Sequence, residues 1–306
     1  MRMPIEILLL LLLSLGMPAR SHSGFVTFDV PGATYTVAYG VNDLGQIVGS
    51  YANGFGQFGF LYSQGAFQTL DVPGSSFTVA QGINDQGEIV GWSSDGAFSY
   101  QNGQYTLAQY PKAASYSINN SGQIVGIYQN PAQHGLVDSG GFFYTLDPPN
   151  SAGTLVAGEN NVGEIVGAYS QCAGCDSVGF TYFAGVFSNV VYPGSVGTQL
   201  WGVNDSGEIV GNTDISGASY AFVLDNGDFT TLPVGVGIDT GASDINEAGE
   251  IVGYWVDQAG TFHGYYGSTT PEPATWLLTV LGPAVFAAWS WRSRRNPRDL
   301  TLTGSR

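Results

Sequence analysis

The sequence predicts an all-β protein, a six-bladed β-propeller of four-stranded blades, on three observations. A ten-residue phrase occurs six times, from Gly40-Val-Asn-Asp-Leu-Gly-Gln-Ile-Val-Gly49 to Asp244-Ile-Asn-Glu-Ala-Gly-Glu-Ile-Val-Gly253. Its asparagines, Asn42, Asn84, Asn119, Asn160, Asn204 and Asn246, lie 42, 35, 41, 44 and 42 residues apart. A β pattern with a period near forty implies one small sheet per repeat. A second phrase also occurs six times, starting at Phe25, Phe67, Tyr105, Phe142, Phe187 and Phe229, but its first copy precedes the first turn.

The stretch 36–74 shows how one repeat folds. Residues 36–42 read as a first strand, and Asn42-Asp43-Leu44-Gly45 as a turn. Asn and Asp cap such a bend with their side chains, and Gly takes its left-handed position. Gly45, Gly87, Gly122, Gly163, Gly207 and Gly249 share that place. Residues 46–51 form a second strand, rich in β-branched side chains at Ile47 and Val48. A glycine-rich loop leads to a third strand at 58–62, and Gln64-Gly65 turns into a fourth at 66–72, ended by Pro73-Gly74.

The order of the strands implies a ring. Residues 24–30 are a fourth strand with no repeat before it, and 261–266 a third strand with no fourth after it. If the N-terminal strand completes the last blade, every sheet has four strands. A linear solenoid or a β-prism, the alternative, leaves unfinished edges. Small residues in the first strands, as in Ala38-Tyr-Gly and Val156-Ala-Gly, suit a crowded axis.

The ends of the chain carry an address. Residues 1–23 have the form of a secretory signal peptide: Arg2, an apolar run from Ile7 to Met17, then Ser21 and Ser23 before a cut at Gly24. The run is too short to span a bilayer. At the other end a linker, 269–273, carries Pro271-Glu272-Pro273, followed by a mostly apolar segment at 274–291. A basic tail at 292–306 then includes Arg292, Arg294 and Arg295. The segment is long enough for a transmembrane helix whose arginines stay in the cytoplasm. Motif, span and basic tail together resemble the PEP-CTERM sorting signal of exported bacterial proteins. That resemblance implies processing by an exosortase-like sorting protease and an association with extracellular polysaccharide. An ordinary C-terminal anchor is the plainer alternative.

Between the ends, residues 24–270 hold 21 acidic residues and a single basic one, Lys112, a net charge of −20. Phosphate contacts need Lys and Arg, so nucleic acid is excluded as a partner. Cys172 and Cys175 predict a local disulfide in an exported chain. A thioredoxin-type role would need a βαβ context, and a zinc site would need nearby histidines.

The repeat phrase is followed by Gly-Phe or Ala-Phe strands, as at Gly59-Phe60, Gly179-Phe180 and Ala221-Phe222. With these it is similar to the HAF family of extracellular repeats. His134-Gly135 and His263-Gly264 match that family's histidine. The resemblance spans most of the propeller region, 24–268, implies an exported repeat protein, and assigns no activity.

Candidate chemistry is sparse. The Asn-Asp-x-Gly turns lack the alternating ligands and closing Glu of a calcium loop. Neither a Gly-x-Ser-x-Gly elbow nor a His-Glu-x-x-His helix occurs. No catalytic, cofactor or metal-ligating residue is therefore assigned. A glycosidase needs only two carboxylates, and Glu159 and Asp244 break the repeat pattern. Strand alternation, however, sends them to opposite sides of blades that are not neighbours. Recognition has better material. Tyr51, Trp92, Tyr128, Tyr169 and Trp255 follow Ile-Val-Gly and are candidate ligand-face aromatics, with packing between blades as the alternative. The sequence thus predicts a surface or matrix protein that binds extracellular polysaccharide or a surface protein, with a carboxylate glycosidase as the second reading.

Overall fold

A computed structural model describes residues 24–108, 112–234 and 237–269. The expected signal peptide at 1–23, the Pro271-Glu272-Pro273 motif, the transmembrane segment at 274–291 and Arg292, Arg294 and Arg295 lie outside the described residues. Among the described residues no helix is long and apolar enough to cross a membrane.

Among the described residues twenty-four strands, paired antiparallel, form six four-stranded sheets. The N-terminal strand is β1 (Gly24–Phe28). Blade one comprises β2 (Tyr35–Val41), β3 (Ile47–Asn53), β4 (Gly56–Ser63) and β5 (Ala66–Leu70). Blade two comprises β6 (Thr78–Ile83), β7 (Ile89–Ser93), β8 (Gly96–Gln101) and β9 (Gln104–Leu107). Blade three comprises β10 (Ala113–Ile118), β11 (Ile124–Gln129), β12 (Gln133–Ser139) and β13 (Phe142–Thr145). Blade four comprises β14 (Gly153–Glu159), β15 (Ile165–Ser170), β16 (Val178–Phe183) and β17 (Val186–Val190). Blade five comprises β18 (Gly197–Val203), β19 (Ile209–Ile215), β20 (Ala218–Asp225) and β21 (Asp228–Thr231). Blade six holds β22 (Asp239–Ile245), β23 (Ile251–Val256) and β24 (Phe262–Ser268), and β1 completes it.

The ring closes as the strand order implied. β1 pairs with β24 from Gly24 opposite Ser268 to Phe28 opposite Gly264. Phe25 meets Tyr265 edge to face at 5.2 Å, so the closure buries aromatic surface as well as pairing backbone. The strands expected in the first repeat are found within about two residues of their predicted limits. One register differs: Phe143, not Phe142, is the counterpart of Phe67, because Phe143 pairs with Asp138 as Phe67 pairs with Tyr62.

The phrase Ile-Val-Gly has a packing reason. Its six valines, Val48, Val90, Val125, Val166, Val210 and Val252, are all wholly buried. Its glycines pair across to Phe60, Phe98, Leu136, Phe180, Phe222 and Tyr265, each at most 1 % exposed. A Cβ on Gly49 would run into the Val37 carbonyl and the Phe60 ring, and one on Gly167 into the Leu155 carbonyl and the Phe180 ring. Glycine is needed there for room, not for an unusual backbone angle.

Each inner strand also carries one bulged residue: Tyr39, Gln81, Tyr116, Ala157, Trp201 or Ser243. Tyr116 of blade three and Trp201 of blade five stand 6.1 Å apart, although blade four separates them in the ring. They meet across the axis, and so the bulges help to fill the channel.

Candidate functional site

At the end of the channel that carries the six turns, the repeated Asn has two tasks. Within its own turn, Asn42 Oδ1 accepts the N–H groups of Leu44 and Gln46, and Gly45 sits at φ 69°. Its Nδ2 then donates to the carbonyl of Asn84 in the next blade at 3.0 Å. Asn84 donates to Asn119, Asn119 to Asn160, Asn160 to Asn204, Asn204 to Asn246, and Asn246 back to Asn42. A closed hydrogen-bonded ring results, with every donor pointing the same way round.

A second ring lies beside it. The N–H of Asp43 donates to the Asp85 carboxylate at 2.9 Å, and the pattern continues through Asn120, Asn161, Asp205 and Glu247 back to Asp43. This explains why the position after Asn varies only among Asp, Asn and Glu. Each must offer a side-chain oxygen to the blade before it. Sequence reading had assigned this residue to its own turn alone, and the link between blades was missed.

The rings enclose an axial pocket of about 60 Å³. Five carboxylates line it: Asp43, Asp85, Glu159, Asp244 and Glu247; its lining holds no Lys, Arg or His. Glu159 and Asp244 were expected to be apart. They do lean to opposite sides: Glu159 Oε2 accepts the Asn119 amide of blade three, and Asp244 Oδ2 accepts the Val41 N–H of blade one. Both nevertheless line this pocket, because the six inner strands converge on the axis whatever their place in the ring. The sequence signal was present in two carboxylates that replace Val/Ile and Gly/Ser, but radial convergence is not visible in strand alternation.

Glu159 is only 7 % exposed, and its Oε1 is buried without a hydrogen-bond partner. Burial pushes its carboxyl well above the usual range, and the Asn119 amide offsets this only in part. Burial also raises Asp244 to about 7 against the Val41 and Ile245 N–H groups, which favour its charged form. At the mouth, Asp43 and Glu247 are raised first by burial, with nearby carboxylates adding to it. Among the described residues no group of three or more His, Cys, Asp or Glu side chains gathers closely enough to chelate a metal.

The aromatics after Ile-Val-Gly pack within and between blades. Tyr51 and Tyr169 are buried, their hydroxyls bonded to Thr69 and Asn189. Trp92 meets Phe77 edge to face and is half-buried. Tyr128 and Trp255 stack on the two histidines, His134 at 5.2 Å and His263 at 4.6 Å. Those histidines are held by Asp147 at 2.7 Å and Asp29 at 2.9 Å. The rings that do stand open are others. Phe55, between β3 and β4, is 94 % exposed, and Phe142, Phe143 and Tyr144 are all exposed on β13. Cys172 and Cys175 are joined in a disulfide, with Cα atoms 5.2 Å apart.

These features define a closed six-bladed β-propeller whose blades are stitched at one end by two hydrogen-bonded rings. No family model matches the sequence, and no curated protein matches it. Solved structures resemble it, among them three at low identity. Virginiamycin B lyase from Staphylococcus aureus is 11 % identical, with a TM-score of 0.46, covering 79 % of this chain and 87 % of its own. The β-propeller domain of the Trilobed protease from Pyrococcus furiosus is 8 % identical, with a TM-score of 0.48, covering 79 % and 83 %. YCF48, solved bound to D1 peptide, is 14 % identical, with a TM-score of 0.43, covering 82 % and 88 %. The assignment of the fold rests on this chain's own sheets and their closure.

Proposed function

We propose that the protein is an exported propeller, held at or released from the cell surface through its C-terminal tail, that acts in recognition or structure and not in catalysis. The carrying observation is the size of the axial pocket. About 60 Å³ holds a few waters or an ion, whereas small-molecule sites run to about 300–1,000 Å³. Glu159 and Asp244 already accept hydrogen bonds from neighbouring blades, which occupies the carboxylates a hydrolase would need free. Extracellular polysaccharide is the partner that the sorting motif and the repeat resemblance favour. Open rings such as Phe55 and Phe142 supply the flat apolar surface on which sugars stack.

The second reading, a carboxylate glycoside hydrolase, is favoured by one observation: Glu159 and Asp244 share a pocket. Incubating the purified protein with a panel of bacterial and plant polysaccharides separates the two. Retention on one polymer without new reducing ends is the expected result. Release of reducing ends, lost in Glu159→Gln, would establish the hydrolase and overturn the first reading.

A further inference from the structure

We propose that the rim between blades three and four is a binding site for a neutral polysaccharide, held by Phe142 and Tyr144 of one blade and Tyr182 and Phe187 of the next. The inference rests on the recognition reading above and gives it a place and a ligand charge. It begins with a departure from the repeat. Blades that converge on the axis diverge at the rim, where each outer strand faces the next blade. The positions of Phe142 and Tyr144 on β13 are held by Ala66 and Gln68 on β5 and by Gln104 and Thr106 on β9. Among the described residues no other outer strand has a ring at either place. Phe142 is 84 % exposed and Tyr144 48 %. Neighbouring rings left in water, where the other blades are small or polar, mark an interaction site.

Both rings look toward blade four. Val137 and Leu146 of blade three are buried against Val156 and Phe180 of blade four, with Tyr182 and Phe187 packed on the same cluster. Tyr144 pairs across with Val137 and shares its face, and strand alternation puts Phe142 there too. On the facing wall Tyr182 and Phe187 are half-buried, with ring centroids 4.7 Å apart. Burial raises the Tyr144 phenol, and the nearby Tyr182 hydroxyl and Glu159 add to it, so the two phenols are close and Tyr144 stays a donor. Between blades one and two the same two places hold Gln68 and Tyr100, joined at 3.1 Å. That rim is closed by an amide–phenol bond, whereas between blades three and four two phenols stand instead.

Rings tipped with hydroxyls suit a sugar chain, which has apolar C–H faces and a border of hydroxyls. Phe142 and Tyr144 are about 7 Å apart along the strand, so each can face its own sugar ring, and a phenol both donates and accepts. Charge narrows the class. None of the four side chains is charged, and residues 24–270 carry 21 acids against Lys112 alone. A uronate or sulfated polymer would meet repulsion with a single base in the domain to offset it, and a neutral chain meets none. A proline-rich peptide also fits an aromatic groove. Its prolines bring acceptors and no N–H, however, and would leave the phenol oxygens without donors.

The test is calorimetric titration of the full chain with soluble hydroxyethylcellulose, galactomannan and dextran, and with polygalacturonate as the charged counterpart. Saturable binding of at least one neutral polymer is expected, with an affinity unchanged between about 0.05 and 0.5 M salt. Phe142→Gln combined with Tyr144→Thr, the residue types of β9, should weaken it by more than about tenfold. Tyr182→Phe, which keeps the packing on Phe187 and removes one hydroxyl, should weaken it about two- to tenfold. Val196→Thr, at an exposed position between blades four and five, should bind as the parent does. If the double variant loses its β circular dichroism, Tyr144→Thr alone takes its place. Binding left unchanged in the folded variants would overturn this inference and leave the recognition reading standing. No binding of any neutral polymer by the parent would overturn it together with the polysaccharide reading. Preference for polygalacturonate, or an affinity that falls with salt, would overturn the neutral class. Binding of decaproline, undisturbed by the polymers and lost in the double variant, would also overturn it and give the rim to a protein partner.

Discussion

A single asparagine in each repeat bonds both its own turn and the next blade, and that double duty sets its cost of removal. Asn204 is 1 % exposed; its Oδ1 accepts the Glu208 N–H and its Nδ2 reaches both the Glu208 carboxylate and the Asn246 carbonyl. Asn204→Ala leaves these groups unpaired and should cost about 1–3 kcal/mol in denaturant unfolding. Loss of less than about 0.5 kcal/mol would mean that the ring contributes little. Asp244 gives a prediction in pH. Its folded value of about 7 lies above the ordinary carboxylate value, so the native state binds the proton more tightly than the unfolded chain. Stability should therefore fall as pH rises from about 4 to about 7, and Asp244→Asn should flatten that slope in thermal melts.

At the level of strands, the turn and the closing glycine carry separate constraints. Gly45 needs its left-handed φ, whereas Gly167 needs space beside the Leu155 carbonyl and the Phe180 ring. Gly167→Ala should therefore destabilise by about 3 kcal/mol or more or prevent folding, judged by expression and melting. Nearly all of this level was legible in the sequence. Periodic Gly, β-branched pairs and Pro-Gly stops are local signals, so the strands and the closing role of residues 24–30 could be read from them. The bonds between blades were not legible, because they join residues 35 to 204 positions apart and depend on the curvature of the ring. The five aromatics show the same limit: position alone did not tell a packed Tyr51 from an open Phe55.

For the whole molecule, the closing blade is the point at which the ring is held by non-covalent contacts alone. His263 on β24 bonds Asp29 just beyond β1 and lies 3.6 Å from Asp257. Burial lowers its pKa, but the two carboxylates outweigh this and leave it raised. A raised histidine contributes its stability below its unfolded pKa near 6.5 and loses it as pH climbs through the folded value. His263→Gln should therefore lower the melting temperature more at pH 5.5 than at pH 8.5, and an equal loss at both would discount the ion pair. Deleting residues 24–28 should leave β24 as a bare edge, exposing Tyr265, and turn a cooperative unfolding transition into a broad or aggregating one.

The asparagine ring has a further consequence. Every blade gives one amide donor to the blade ahead and takes one from the blade behind, so the cycle has neither a first nor a last member. The run of strands has both, but they are cross-strand partners, β1 beside β24, with Gly24 opposite Ser268. Covalent order and spatial order are therefore separable. A circular permutant that joins 268 to 24 through a short linker and opens the chain at the exposed tip near Phe55 should rebuild the same six sheets, with blade one now divided between the termini.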